Sequence, residues 1–179
     1  MREALRESAT AGVLLVVVAT LAVLTGRTFL FPSLGPSAFL LATRPSAPTS
    51  VPRRVAGGHA VGVLAGLVTY HAVASGLAVT APPPALTGAS AALAASGVVS
   101  VVLTTAGMVA ADLRHAPACA TTLIVSLGLL SSVADALLVG TSIALLLATH
   151  RALLAADIAP VRTEVDRSGP TANSSDRTS

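Results

Sequence analysis

FPSLGPSAFLL, residues 31–41, lies inside a charge-free stretch that runs from Thr28 to Thr43 between Arg27 and Arg44. The stretch is apolar enough for a membrane, yet Pro32 and Gly35-Pro36 break it. Proline lacks a backbone N–H and stops a helix, and an unpaired backbone group in lipid is costly. A broken passage of this kind survives only where protein or a polar cavity shelters it. The segment is therefore the first place to look for function.

The rest of the chain has the same character. Of its 179 residues 53% are hydrophobic and 11% charged, and the mean hydropathy is +0.80. A soluble domain carries roughly 25% charged residues, so this is the composition of an integral membrane protein. All eleven basic residues are arginine, and the net charge of +3 comes from a few of them in loops. Nucleic-acid binding would need clustered basic and aromatic side chains, and aromatics make up 2%. The single Cys119 has no partner for an intrachain disulfide. The N-terminus resembles a signal peptide, but its first residues are charge-balanced (Arg2, Arg6 against Glu3, Glu7) and residues 9–26 approach a spanning length. An uncleaved first helix is expected.

Working outward, the pattern predicts an all-α membrane protein with four long transmembrane helices and two Pro-broken half-helix passages. The long spans are expected at 9–26, 56–80, 86–111 and 136–154, with Ala81-Pro82-Pro83-Pro84 separating the second from the third. The broken passages are 27–44 and the region around Asp112-Leu113-Arg114-His115-Ala116-Pro117. Residues 1–156 form the transmembrane domain, and the polar tail 157–179 is expected to be disordered.

A shift of 81 residues places Gly26 on Gly107, Val17-Val18 on Val98-Val99 and Pro36 on Pro117. Two halves, 1–80 and 86–156, then each read as long helix, broken segment, long helix. If both broken segments cross the membrane, six passages put Arg44, Arg53, Arg54, Arg114 and Arg151 on one side with the N-terminus, and Arg27 alone on the other. If both are re-entrant, there are four crossings, and Arg27, Arg44, Arg53, Arg54 and Arg114 fall outside. The positive-inside rule prefers six, with both termini cytoplasmic and the protein multi-pass in the cell membrane. Three passages per half make a 3+3 inverted repeat, the plan of many secondary transporters with sites at broken helices.

Gly35-Pro36-Ser37 reads as a helix start near the middle of the hydrocarbon slab, with Gly35 for the turn, Pro36 at the first helical position and Ser37 to bond a freed N–H. Such an N-terminus favours an anion. His115, Pro117 and Ala118 would do the same in the second half. The bland alternative is a kinked surface loop with no ligand. Asp112 and Arg114 are second-rank candidates, since charge counting favours an interfacial loop in which they pair. His115 suits proton carriage or anion binding through its near-neutral pKa.

His59 begins a helix beside Arg53 and Arg54 and reads equally as an interfacial cap or a site residue. Gly58, Gly62 and Gly66 form a stripe that lets two helices approach closely, and a homo-oligomer through that face is expected. Asp135 is expected to cap the last helix, while His71 and His150 receive no role. No GxSxG, HExxH, CxxC or phosphate-binding loop occurs, so no enzyme, metal or cofactor is expected.

Residues 31–67 (FPSLGPSAFLLATRPSAPTSVPRRVAGGHAVGVLAGL) and 114–128 (RHAPACATTLIVSLG) resemble the HPP family of small integral membrane proteins. The first block carries the family's FPSLGPSA and GGH elements in Phe31, Pro32, Ser33, Gly35, Pro36, Ser37, Gly57, Gly58 and His59. The second is similar to the eponymous His-Pro-Pro, but reads His115-Ala116-Pro117. The resemblance implies four transmembrane helices, and plant plastid relatives are associated with nitrite transport. Some bacterial relatives add paired CBS modules, to which nothing here corresponds. The function expected is a transporter or channel for a small, nitrite-like anion. A non-transporting membrane scaffold or regulatory subunit is the rival class, and an intramembrane enzyme the third.

Overall fold

A computed structural model describes residues 1–156; the tail reading falls on 157–179, outside them. Among the described residues the fold is all helical: α1 (Arg2–Thr25), α2 (Leu34–Thr43), α3 (Pro52–Thr69), α4 (Gly88–Ala110), α5 (Ala118–Ser126) and α6 (Val133–Ala155). α3 continues through a wider π turn, Tyr70–Ala74. Four spans are long and apolar enough to cross a membrane: Arg2–Thr25, Pro52–Ala74, Gly88–Ala110 and Val133–Ala155. α2 and α5, of 10 and 9 residues, are half-helices, each about 15 Å or less against roughly 30 Å of hydrocarbon.

Local chemistry sets the boundaries. α1 begins before the expected residue 9 because Arg2, Glu3, Leu5 and Arg6 are good helix formers, and Gly26 closes it in the left-handed conformation (φ 63°). α3 stops well before residue 80: the Tyr70 hydroxyl donates to the Leu77 carbonyl (3.1 Å) and accepts from Gly76 N–H (3.2 Å), folding the chain back. α6 starts in a capping box in which Ser132 Oγ accepts from Asp135 N–H and Asp135 Oδ2 accepts from Ser132 N–H. The capping role expected of Asp135 is thus shared with Ser132.

Contacts fix the direction of each half-helix. Ser142, near the middle of α6, donates to the Phe29 carbonyl just before α2 (2.8 Å), and His150, near the end of α6, bonds the Leu41 carbonyl near the end of α2. α2 therefore starts at mid-depth and runs alongside α6. Ala118 and Thr122 lie against Gly62, and Val125 lies against Gly66, so α5 runs alongside α3. α3 and α6 are antiparallel, with His71 at the Ser131 carbonyl just ahead of α6 (3.1 Å). The two half-helices consequently leave the interior in opposite directions.

One end of the bundle gathers loops 44–51 and 111–114 with the end of α6, and it holds Arg44, Arg53, Arg54, Arg114 and Arg151. The other end holds links 75–87 and 127–132, which carry no charged residue and meet where Val79 N–H donates to the Leu127 carbonyl (3.0 Å). Single cysteines placed in 44–54 and in 80–86 of a Cys119→Ser protein are expected to react with impermeant reagents from opposite sides. Labelling of both from one side would mean that α3 does not cross.

The main apolar core is built by Leu14 and Val18 of α1, Leu34 and Leu41 of α2, Val55 of α3, Val125 of α5, and Val139 and Leu146 of α6. The glycine stripe takes a different role from the one expected. A Cβ at Gly62 would lie 2.7 Å from Thr122 Oγ1 and 2.8 Å from the Ala118 carbonyl, and one at Gly66 would lie 2.7 Å from Val125 Cβ. Gly58 would meet His115 Cβ at 3.0 Å. These three glycines let α5 and the 113–115 turn approach α3 within the same chain. The reading of Gly58, Gly62 and Gly66 as an oligomer face is corrected: the face is already covered.

Candidate functional site: a buried imidazole and hydroxyl cluster

The start of α2, the first turns of α3 and the start of α5 converge on one polar cluster. Ser37 Oγ lies 3.0 Å from His59 Nε2 and 3.2 Å from His115 Nε2. His59 Nδ1 lies 2.7 Å from Thr121 Oγ1, which lies 2.6 Å from Ser33 Oγ. His115 Nδ1 lies 2.9 Å from the Thr49 carbonyl. The two imidazole rings are 5.1 Å apart, tilted by 57°. Ser33, Ser37, His115 and Thr121 have no exposed surface and His59 has 2%. Buried polar groups persist when they are bonded, and here every imidazole nitrogen of the pair has a partner.

Helical spacing explains the convergence. Ser33, just before α2 but in helical backbone, and Ser37 are four residues apart, so they lie on one face at the start of α2. His59 projects from α3 one residue beyond Gly58, whose missing side chain admits the His115 Cβ and the Leu113 carbonyl. Behind the cluster, Thr104 of α4 meets Thr122 of α5 (2.7 Å), and Ser96 donates to the Ser126 carbonyl (2.9 Å).

A family model described as "HPP, transmembrane region" matches residues 1–163. The chain belongs to the HPP family. No curated protein and no solved structure gives a significant match. In this HPP protein the two family blocks, far apart in sequence, supply the cluster together: Ser33, Ser37 and His59 come from the first, His115 and Thr121 from the second.

The candidate residues divide by position. Ser37, His115 and His59 are brought together in the cluster, with Pro117 and Ala118 buried just behind His115. Pro36 is exposed and Gly35 half-buried. α2 begins at Leu34, so Pro36 is its third residue, and Gly35 makes no left-handed turn. Ser37 does not cap a free N–H; its hydroxyl faces the two rings and the Ser33 carbonyl (3.0 Å). At α5 the first three N–H groups turn back onto the carbonyls of His115, Ala116 and Pro117 (3.0–3.1 Å). Donors for a ligand are therefore side chains, more than helix-end backbone.

Asp112 and Arg114 lie at the surface. Asp112 pairs with Arg54 at 2.7 Å and stands 3.8 Å from Arg114. The Arg54 hydrogen bond holds the Asp112 carboxyl below its ordinary value. The pair ties the 111–114 loop to the start of α3, the interfacial alternative weighed for these residues.

Sequence reasoning did not place Ser33, Thr49 or Thr121 among the site residues and gave no role to the buried His150, whose Nε2 has no partner. Ser33 sits in the FPSLGPSA block and was a legible candidate. Thr49 acts through its carbonyl, which no side-chain pattern signals.

Between α3 and α6, Ala56, His59, Ala60, Val63 and Leu64 face Ala136, Val139, Gly140, Ile143 and Ala144 across a cavity of about 350 Å³. His59 is its one ionisable lining residue.

Proposed function

We propose that this protein carries a small monovalent anion across a membrane, nitrite-like as the family resemblance suggests, with Ser37, His59 and His115 as its binding site. The observation that carries this reading is the wholly buried cluster of imidazole and hydroxyl donors where two half-helices meet. Acidic side chains described in the chain are Glu3, Glu7, Asp112 and Asp135, near the ends of helices; a dehydrated metal cation would seek such oxygens at its site, an anion would not. Polar groups inside a membrane protein are costly and mark substrate pathways by default.

Element spacing supports a 3+3 plan. The spans Pro52–Ala74 and Val133–Ala155 are offset by 81 residues at both ends, the shift that superposes Pro36 and Pro117. The arginine-bearing end faces the cytoplasm on the positive-inside rule, which places both termini there.

The test is anion uptake by proteoliposomes with nitrite as the probe. Uptake by the natural sequence is expected, with loss in His115→Ala and Ser37→Ala and retention in Pro36→Ala, since Pro36 points away from the cluster. Normal uptake in both His115→Ala and Ser37→Ala would overturn the site. The second reading, a scaffold or regulatory subunit, is favoured by the exposed small residues Gly140 and Ala144 on α6, with the half-buried Ala136 one turn before them. Copurification of a partner with no anion flux would select it.

A further inference from the structure

We propose that Ser33, Thr121, His59, Ser37 and His115 form a directional hydrogen-bonded wire that stores one proton on His115 and reverses its direction when it does so. The proposal concerns a proton and does not rest on the transported anion.

The direction follows from one backbone group. The Thr49 carbonyl can only accept, so His115 Nδ1 carries a hydrogen and donates to it (2.9 Å). In neutral His115, Nε2 is then an acceptor, and the neighbouring donor is the Ser37 hydroxyl at 3.2 Å. With its hydrogen committed there, Ser37 Oγ accepts from His59 Nε2–H at 3.0 Å. His59 Nδ1 must therefore accept, from the Thr121 hydroxyl at 2.7 Å, and Thr121 accepts from Ser33 at 2.6 Å. The Ser33 carbonyl, 3.0 Å from Ser37 Oγ, is the competing acceptor for the Ser37 hydroxyl hydrogen; it already receives the Ser37 N–H (3.4 Å), and donation to His115 is the choice that leaves no imidazole nitrogen unpaired. The neutral state thus holds the two histidines in opposite tautomers: hydrogen on Nδ1 of His115 and on Nε2 of His59.

Adding a proton shifts each link by one bond. Hydronium at the Ser33 end gives a proton to Ser33 Oγ, Ser33 passes its own to Thr121, Thr121 to His59 Nδ1, His59 Nε2–H to Ser37, and Ser37 to His115 Nε2. One proton enters and one is held, on an imidazolium whose two N–H groups donate to Thr49 and Ser37. His59 ends neutral, with its hydrogen moved from Nε2 to Nδ1. Each bond between cluster members survives with donor and acceptor exchanged, so the stored charge leaves no imidazole nitrogen unpaired.

The surroundings set few competing charges against His115. α3 brings His59 and, at its first turn, Arg53 and the Arg54–Asp112 pair; the same loop brings Arg114. Arg44 lies in the 44–51 loop that carries Thr49. α2 and α4 contain no ionisable side chain, and α5 contains Cys119 alone.

The test is nitrogen-15 magnetic resonance of the full chain in lipid bilayers, with histidine, glycine and alanine labelled. His59 is assigned through Gly58 and, with arginine labelled as well, His115 through Arg114, so no substitution is needed. In alkaline buffer the expected signals are Nδ1–H for His115 and Nε2–H for His59. On acidification His115 becomes doubly protonated, while His59 stays neutral and its signal moves to Nδ1–H in the same titration step. In Ser37→Ala the His59 tautomer no longer follows His115. Identical tautomers in alkaline buffer, an unmoved His59 tautomer, or protonation of His59 in place of His115 would each overturn the wire. Nitrite uptake is read separately, so failure of the wire and failure of the transport reading are distinguishable.

Discussion

Gly62→Ala is expected to destabilise the folded protein by about 1–3 kcal/mol, and Gly62→Val by more, because the new atoms overpack a close helix contact. The alanine Cβ would stand 2.7 Å from Thr122 Oγ1 and 2.8 Å from the Ala118 carbonyl. The second neighbour is backbone, so relief requires α5 to move as a unit. Movement of α5 also displaces Thr121 from His59, which lies 2.7 Å away. Gly66→Ala meets Val125 Cβ at 2.7 Å and is expected to behave alike. Gly140→Ala is the control: nothing lies within 4 Å of its Cβ, and the better helix former adds up to roughly 1 kcal/mol. Thermal unfolding in detergent reads the difference. Equal melting of the Gly62 and Gly140 variants would show that the α3–α5 contact is looser than described.

Ser37→Ala is expected to lower nitrite uptake at least tenfold while the protein still folds. The substitution removes one hydroxyl and strands two imidazole nitrogens, His59 Nε2 at 3.0 Å and His115 Nε2 at 3.2 Å. A stranded buried polar group costs about 1–3 kcal/mol in general. Hydrogen bonds between membrane helices average only about 0.6 kcal/mol, with a maximum near 1.7. The lower figure governs stability here, since the unfolded reference in lipid also finds partners, so a loss of about 1–2 kcal/mol is expected in the melt. The functional loss is larger because the two rings are joined only through this oxygen. Ser37→Thr keeps the hydroxyl, and its partial recovery of uptake would separate the role of the oxygen from that of the shape. Uptake by Ser37→Ala within twofold of the natural sequence would remove Ser37 from the site.

The broad architecture was legible because charge is so sparse. Arg27, Arg44, Arg53, Arg54, Arg114 and Asp135 mark loops or helix ends, and Pro36 and Pro117 mark the starts of the two half-helices to within about two residues. His115 and Ser37 were legible as candidates because an ionisable or hydroxyl residue beside a proline break stands out in such a chain. Their meeting was not. It depends on α2 running alongside α6 and α5 alongside α3, in opposite directions, a tertiary fact that a helical period does not encode. The glycine stripe announced a close approach without saying whose helix would fill it. Asp112 and Arg114 were second-rank candidates whose charge already favoured an interfacial loop, and there the loop places them, with Arg54 paired to Asp112. The end of α3 was misjudged because Tyr70 wraps its hydroxyl around Gly76 and Leu77, a side-chain act that no periodicity reveals.

The packing of α3 against α5 also bears on how the chain is made. Synthesis proceeds from the N-terminus, so Gly58, His59, Gly62 and Gly66 leave the ribosome well before Thr121 and Val125 exist. Until then the bare glycine groove and one imidazole nitrogen of His59 wait for neighbours, with Ser37 alone already available to His59. The first half of the protein is thus placed in the bilayer with its polar centre unfinished, and α5 completes it on arrival.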